Sequence, residues 1–104
     1  MGQIRWTRKS VVHLEEIHKF IAKDSPFYAS RFIKSLVQAI RKLETFPVCG
    51  RIVPELQMFG FREVIYRNYR IIYRTAHSSN DVEILSIIHS SRSEIFRNKE
   101  EWIL

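Results

Sequence analysis

The first half of the chain repeats apolar side chains at helical spacing. Leu14, Ile17 and Ile21 follow one another at steps of three or four residues, as they would on one face of an amphipathic helix. Thr7 is a suitable N-cap for this helix, which we expect to run to about Lys23.

A second helix is expected to begin at Ser25, because serine is a good N-cap and Pro26 suits the first helical position. Phe46 and Pro47 end it. Only a couple of residues join the two helices, so they must fold back as a hairpin. The apolar stripe of the second helix is the strongest periodic signal in the sequence and consists of Ala29, Phe32, Ile33, Leu36, Ile40 and Leu43.

The second half has the composition of β-strands. Residues 61–66, 69–75 and 81–89 are rich in β-branched and aromatic side chains, and residues 3–7 predict a further short strand. Arg67-Asn68 is a tight turn and residues 77–80 form a looser one, so the last three strands make an antiparallel meander. Residues 47–60 are expected to be a loop, since they contain Pro47, Gly50, Pro54 and Gly60.

This order of elements, β-α-α-β-β-β, predicts a single α+β domain over residues 1–104. The helical hairpin packs on one face of a small antiparallel sheet. A chain of 104 residues is long enough for one hydrophobic core and no more. Residues 93–104 are expected to be a short C-terminal tail or helix, with Ser91 and Glu94 at the positions of a capping box.

Composition excludes several classes of protein. A hydrophobic fraction of 45% can build a packed core and argues against a disordered chain. Cys49 is the single cysteine, so neither an internal disulfide nor a site of several thiolates can form. His13 and His18 lie five residues apart, off the helical metal-binding step, and we expect no metal and no other cofactor. Without a membrane-spanning run or an apolar signal core, we expect a cytoplasmic protein.

The chain is basic, with 17 Lys and Arg against 11 Asp and Glu and a net charge of +6. Such a surplus favours a polyanionic partner, although it can equally serve solubility. The densest stretch is residues 62–74, where Arg62, Arg67, Arg70 and Arg74 face only Glu63.

The register of this hairpin can be predicted from its turn. If Arg67-Asn68 is the turn, Glu63 pairs with Ile72 and is a diagonal neighbour of both Arg70 and Arg74. One interpretation is an ordinary cross-strand ion pair worth ~0.2–1 kcal/mol. The other is a row of guanidinium groups that binds phosphate and is held in place by Glu63. Spacing alone favours the ion pair.

Several motifs resemble, in order and spacing, the RelE/ParE family of bacterial toxins, the plasmid stabilisation group. The similarity spans residues 6–92, and it is closest to the ParE branch through residues 50–55 and 89–92. The matching motifs are Trp6-Thr7, Leu14-Glu15-Glu16-Ile17, Leu43-x-x-Phe46-Pro47-x-x-Gly50-Arg51-x-Val53-Pro54-Glu55-Leu56, Arg62-Glu63, Tyr69-Arg70-Ile71-Ile72-Tyr73-Arg74 and Ile84-Leu85-x-Ile87-x-His89-x-x-Arg92.

The resemblance implies the toxin of a bacterial type II toxin–antitoxin pair, neutralised by a cognate acidic antitoxin. It also allows a toxin homodimer within a toxin–antitoxin heterotetramer. The ParE branch implies DNA gyrase as the target, whereas RelE-type and YoeB-type members cleave mRNA inside the ribosome. An inactive relative that serves as an interaction module is a third interpretation.

Similarity to the YoeB-type members implies a metal-independent endoribonuclease site. Glu55 would be the general base, Arg70 the phosphate ligand and His89 the general acid. However, Ser90 stands where those enzymes carry a tyrosine, and residues 47–60 lack the lysine-rich patch of RelE. We therefore expect inhibition of gyrase without catalysis, with phosphate or target binding assigned to Arg51, Arg62, Arg70, Arg74 and Arg92.

The end of the chain is apolar, because it reads Trp102-Ile103-Leu104. This tail has three interpretations: it docks on the sheet, contacts a second copy of the chain, or contributes to target binding.

Overall fold

A helical hairpin lies on one face of a five-stranded sheet. The computed structural model describes residues 2–76, 79–92 and 96–102. The predicted α+β class is confirmed. The elements along the chain are β1 (Ile4–Trp6), α1 (Arg8–Ala22), α2 (Pro26–Arg41), β2 (Arg51–Ile52), β3 (Arg62–Tyr66), β4 (Tyr69–Thr75) and β5 (Val82–His89).

Both helices begin at the caps that the sequence indicates. The Thr7 hydroxyl accepts the backbone N–H of Ser10 at 3.1 Å, and the Ser25 hydroxyl accepts that of Tyr28 at 3.1 Å. These bonds satisfy donors that a helix leaves unpaired in its first turn. α2 is followed by a single 3-10 turn, Lys42–Glu44, before the chain leaves the helical layer.

The sheet is mixed, with the strand order β1-β5-β4-β3-β2. β3, β4 and β5 pair antiparallel, as the predicted meander requires, and β2 also pairs antiparallel with β3. β1, however, pairs parallel with β5. The expectation of a purely antiparallel sheet is therefore corrected at this edge, because the long connection from β1 allows parallel pairing. β2 lies within residues 47–60, which were predicted to be a loop, and its two residues form the edge strand of the sheet beside β3.

The predicted register of the β3–β4 hairpin is confirmed, since Glu63 pairs with Ile72 and Ile65 with Arg70. Between β4 and β5 the pairing shifts at Ile72/Tyr73, which is a β-bulge.

Each face of the sheet carries a hydrophobic core. The core under the helices is formed by buried residues of α1, α2, β4 and β5: Ile17, Phe32, Leu36, Ile40, Leu43, Ile71, Tyr73, Val82, Ile84 and Ile87. The core on the opposite face was not predicted, because the residues that cover it come from irregular segments. Its members are Val53, Leu56, Phe61, Ile72, Leu85, Ile88, Phe96 and Trp102.

The C-terminal segment docks on the second core. Trp102 ends a 3-10 turn, Lys99–Trp102, and is 2% exposed. Of the three interpretations of the tail, docking on the sheet therefore holds for Trp102. Ile103, Leu104 and the Glu94 of the predicted capping box lie outside the described residues.

None of the described helices is long and apolar enough to cross a lipid bilayer.

Candidate functional site

Arg70 is the centre of a charged cluster on the sheet face opposite the helices. It is 7% exposed. Its Nε donates to Oε1 of Glu63, and its two terminal nitrogens donate to the two carboxylate oxygens of Glu55 at 2.9 and 2.8 Å. Such a forked pair is the strongest arrangement that a guanidinium can make with a carboxylate.

Two different elements bring the carboxylates to Arg70. Glu63 lies on β3, diagonally across the hairpin, at a position set by the strand register. Glu55 lies in a 3-10 segment, Pro54–Phe59, which passes over the second core. This segment kinks at Leu56, whose side chain is buried, and ends at Gly60 with a positive φ of 70°. The anchored Leu56 therefore holds Glu55 above Arg70.

Glu63 is shared between two arginines. Arg51 of β2 pairs with Glu63 in the sheet, and its Nε donates to Oε2 at 2.6 Å. Glu63 is 1% exposed, so its charge is balanced by Arg51 and Arg70 within a nearly dry environment.

The aromatic ring of Phe96, near the C-terminal end of the chain, packs on Arg70. The Phe96 ring centroid lies 4.6 Å from the guanidinium carbon of Arg70. Phe96 in turn stacks on Trp102, with ring centroids 5.6 Å apart. Arg70 is thus enclosed by two carboxylates and an aromatic ring.

The cluster holds both of its main members in their charged forms. The hydrogen bonds from Arg70 lower the pKa of Glu55 more than partial burial raises it. The hydrogen bonds to Glu55, followed by those to Glu63, raise the pKa of Arg70. A carboxylate with a lowered pKa is a poor proton acceptor for general-base catalysis near neutral pH.

His89 lies on the other face of the sheet. It is the last residue of β5 and pairs in register with Tyr69, with their rings perpendicular and 5.4 Å apart. Tyr69 points toward the helices, since its ring is 5.9 Å from that of Phe32 on α2. Ile88, the register partner of Arg70, belongs to the opposite core. The three nuclease candidates therefore do not converge: Glu55 and Arg70 bind each other, and His89 faces away from them.

His89 borders a cleft of about 350 Å³ between α1 and the sheet, together with His13, Glu16, Phe20, Tyr69 and Arg92. Nδ1 of His89 accepts the backbone N–H of Ser91 at 3.2 Å. Nδ1 of His13 accepts the backbone N–H of Ile87 at 3.1 Å, which ties α1 to β5. Burial, followed by the charge of Lys9, lowers the pKa of His13 and favours this neutral acceptor form.

The predicted target-binding arginines are divided among separate interactions. Arg62 donates to the Gly50 carbonyl at 2.8 Å, and Arg92 borders the His89 cleft. The expected proximity of Glu63 to Arg74 does not produce a bond, because Arg74 pairs across β4 and β5 with Glu83 at 2.7 Å. Arg51 and Arg70 share Glu63, and Arg74 is bonded to Glu83, so these three arginines are already paired with carboxylates of the protein.

Within residues 2–76, 79–92 and 96–102, no three His, Cys, Asp or Glu side chains are grouped as a metal site.

The family model for the ParE toxin of the type II toxin–antitoxin system, parDE, matches residues 4–94. The chain belongs to the ParE toxin family. A curated relative of this ParE-family toxin is named "Putative toxin Y4kP", from Sinorhizobium fredii (strain NBRC 101917 / NGR234). The two are 34% identical over 90 residues, which cover 85% of this chain and 88% of the relative.

Two solved structures share the fold of this ParE-family toxin. One is the chromosomal ParDE toxin–antitoxin system from P. aeruginosa, with a TM-score of 0.69, 23% identity, and coverage of 86% of this chain and 96% of that one. The other is the RelBE2 toxin–antitoxin complex from Mycobacterium tuberculosis, with a TM-score of 0.61, 22% identity, and coverage of 85% and 96%.

The family motif around Gly50 has a structural role that the sequence did not reveal. The Gly50 N–H donates to the hydroxyl of Tyr73 at 3.0 Å, in a buried position. A Cβ at Gly50 would lie 2.5 Å from the backbone carbonyl oxygen of Glu63, so only glycine fits. Gly50 and the following Arg51 thus fix the edge strand of the ParE-family toxin against β3. The one sequence signal for this contact is the glycine itself.

Proposed function

We propose that this ParE-family toxin inhibits DNA gyrase by binding it, and that it carries out no RNA cleavage. The observation that supports this most strongly is the separation of Arg70 and His89 onto opposite faces of the sheet. Attack by an RNA 2′-hydroxyl needs a base, an acid and a cation around one phosphate. Here the acid candidate lies away from the other two groups.

The remaining two candidates also suit a structural role better than a catalytic one. A phosphate that approached Arg70 would have to displace Glu55, Glu63 and the Phe96 ring. Each displaced carboxylate would lose a charge-assisted hydrogen bond, and Glu63 would be left buried without that partner. We therefore interpret the cluster as a fixed clamp that joins the 3-10 segment to the sheet.

A cognate acidic antitoxin is the second part of the proposal. Membership of a toxin family from type II toxin–antitoxin systems supports such a partner, and so does the net charge of +6. The two similar structures both come from toxin–antitoxin systems, ParDE and RelBE2. Because gyrase and its DNA are in the bacterial cytoplasm, we expect the toxin to act there.

The test combines one assay of the purified toxin with one assay in cells. In the first, gyrase supercoils a relaxed plasmid with and without the toxin, and we expect loss of supercoiling that the antitoxin restores. In the second, transcripts from cells that express the toxin alone are mapped for internal cleavage, and we expect intact mRNA. Prompt mRNA cleavage with normal supercoiling would contradict the proposal and favour the ribosome-dependent nuclease. Absence of both effects would indicate an inactive interaction module.

A further inference from the structure

The exposed face of α2 carries cations but no carboxylate. Arg31, Lys34, Gln38 and Arg41 are exposed and recur at steps of three and four residues. They lie opposite the buried face of the helix, which consists of Ala29, Phe32, Leu36 and Ile40. The sequence has no Asp or Glu between Asp24 and Glu44, and the exposed Lys42 extends the basic series beyond α2. We call Arg31, Lys34, Gln38 and Arg41 the basic face of α2.

The cations of this face differ from Arg5, Arg51, Arg70 and Arg74, each of which is paired with a carboxylate. In the part of the chain that the structure describes, the ion pairs are Arg5–Asp81, Arg51–Glu63, Arg70–Glu55, Arg70–Glu63 and Arg74–Glu83. None of them involves a residue of α2. Arg70 and Arg74 of the hairpin are neutralised by carboxylates, whereas Arg31, Lys34 and Arg41 add three positive charges on one face of α2.

Helix stability does not explain the whole series. Cations near a helix C-terminus interact favourably with its dipole, which accounts for Arg41 and the following Lys42. Arg31 and Lys34 lie outside the last turn of α2, and the favourable effect of the dipole on a cation falls off beyond that turn. Solubility does not explain the series either, because a surface of mixed positive and negative charges keeps a protein equally soluble.

We propose that the basic face of α2 binds the phosphate backbone of a nucleic-acid duplex. Arg31 and Arg41 are ten residues apart, or about 15 Å along the helix. Over about 15 Å of its axis a duplex carries about nine phosphate charges on its two strands, at one per about 1.7 Å, so three cations spread over this length all have phosphates within reach. Gln38 supplies an amide donor between the cations, and side chains of this kind contact phosphate oxygens without reading sequence.

Between Arg31 and Arg41 the face has no exposed apolar or aromatic group, which argues for a duplex over other anions. Between residues 30 and 41 the exposed side chains of α2 are all polar: Ser30, Arg31, Lys34, Ser35, Gln38 and Arg41. An acidic protein would find no apolar centre to bury, whereas protein interfaces normally have one. At the start of this face the exposed ring of Phe27 lies 5.8 Å from the guanidinium carbon of Arg31. No exposed ring follows between residues 30 and 41, so the successive bases of a single strand would find no row of stacking partners.

This inference does not rest on the proposed action on gyrase, because the binding is a property of the toxin alone. It can be measured without gyrase, so the two proposals can fail separately. If both hold, the basic face of α2 would contact DNA while the toxin occupies the enzyme.

The test is fluorescence anisotropy of a labelled 30-bp DNA duplex of mixed sequence, titrated with the full-length toxin. We expect weak binding that is independent of sequence and that falls steeply between 50 and 200 mM salt. The triple variant Arg31→Gln, Lys34→Gln, Arg41→Gln should bind at least about tenfold more weakly, with a salt slope reduced by up to about three. The matched control removes three exposed cations elsewhere, through Arg8→Gln, Arg97→Gln and Lys99→Gln.

The outcomes separate the alternatives. Equal losses in the two triple variants would overturn the assignment to α2, as would tighter binding of a single strand with the same sequence. Unchanged thermal unfolding of the α2 variant shows that lost binding is not lost folding. The same titration is repeated with an RNA duplex. Similar affinities for RNA and DNA would show that the face binds the phosphates of either duplex, and weaker binding of RNA would identify DNA as the ligand. If the α2 variant no longer binds the antitoxin but still binds DNA, the face binds an acidic protein and the proposal is wrong.

Discussion

Arg70 and His89 lie on adjacent strands, one residue apart in register, and project from opposite faces of the sheet. This relationship follows from the alternation of side chains along a strand, since His89 pairs with Tyr69 and Arg70 pairs with Ile88. A local motif can therefore match that of a nuclease branch in sequence while its groups are divided between two surfaces. The carboxylates of Glu63 and Glu55 separate this site further from that of a nuclease, because they already accept the hydrogen bonds of the Arg70 guanidinium group.

Loss of the buried carboxylate should cost much more stability than loss of an exposed one. Glu63→Ala leaves Arg70 and Arg51 without a shared partner, and we expect the free energy of unfolding to fall by about 2–4 kcal/mol. Glu83→Ala is the control, since its pair with Arg74 is partly exposed and should contribute less than about 1 kcal/mol. Urea unfolding monitored by tryptophan fluorescence measures both. Similar small losses would show that the cluster does not hold the fold together.

The Glu55–Arg70 pair predicts a pH dependence of stability. The pKa of Glu55 is lowered from its ordinary value of about 4.5, chiefly by the hydrogen bonds from Arg70. The stabilisation that ionised Glu55 gives to the folded state is therefore present above pH 4.5. It is lost as the pH falls through the lower pKa that Glu55 has in the folded protein. Between about pH 5 and pH 3 the wild type should lose more stability than Glu55→Gln, which cannot titrate. Parallel stability curves for the two proteins would contradict this assignment.

The contact between Gly50 and Tyr73 should tolerate no change at either side. Tyr73→Phe leaves the Gly50 N–H unpaired in a buried position and should cost about 1–3 kcal/mol. Gly50→Ala should destabilise further, because the new methyl group meets backbone atoms of Glu63 that cannot move aside cheaply. Tyr28→Phe, which removes an exposed hydroxyl, is the control and should be nearly neutral. Equal thermal shifts for the two tyrosine variants would contradict the account.

Two buried serines should respond in opposite directions to loss of the hydroxyl. Among the described residues, the Ser86 hydroxyl is buried and without a hydrogen-bond partner, so Ser86→Ala should be neutral or stabilise by up to about 1 kcal/mol. Ser10 is equally buried, but its hydroxyl donates to the Thr7 carbonyl at 2.8 Å. Ser10→Ala should therefore destabilise by about 1 kcal/mol. Calorimetric unfolding of both variants measures the contrast, and destabilisation by Ser86→Ala would indicate a hidden partner.

Local signals in the sequence were sufficient for most of the regular elements. Thr7 and Ser25 have the capping geometry that their side chains predict, and the turn at Arg67-Asn68 was enough to derive the pairing of Glu63 with Ile72. These features depend on interactions within a few residues or on a register that a short turn determines.

The site itself depended on contacts that no local pattern encodes. Glu55 reaches Arg70 because a kinked 3-10 segment crosses the sheet, and such a path has no periodicity to detect. Phe96 and Trp102 cover the second core from the far end of the chain. The separation of Arg70 from His89 could have been derived only from the pairing of β4 with β5, because the bulge at Ile72/Tyr73 and the loose turn between these strands hide the register.

The most direct test of the central claim is growth arrest by His89→Ala, induced without antitoxin and compared with the wild type at equal protein level. Because His89 lies away from Arg70 and Glu55, we predict that the variant arrests growth as the wild type does. A folded His89→Ala protein that no longer arrests growth would contradict the account and return the histidine to a catalytic role.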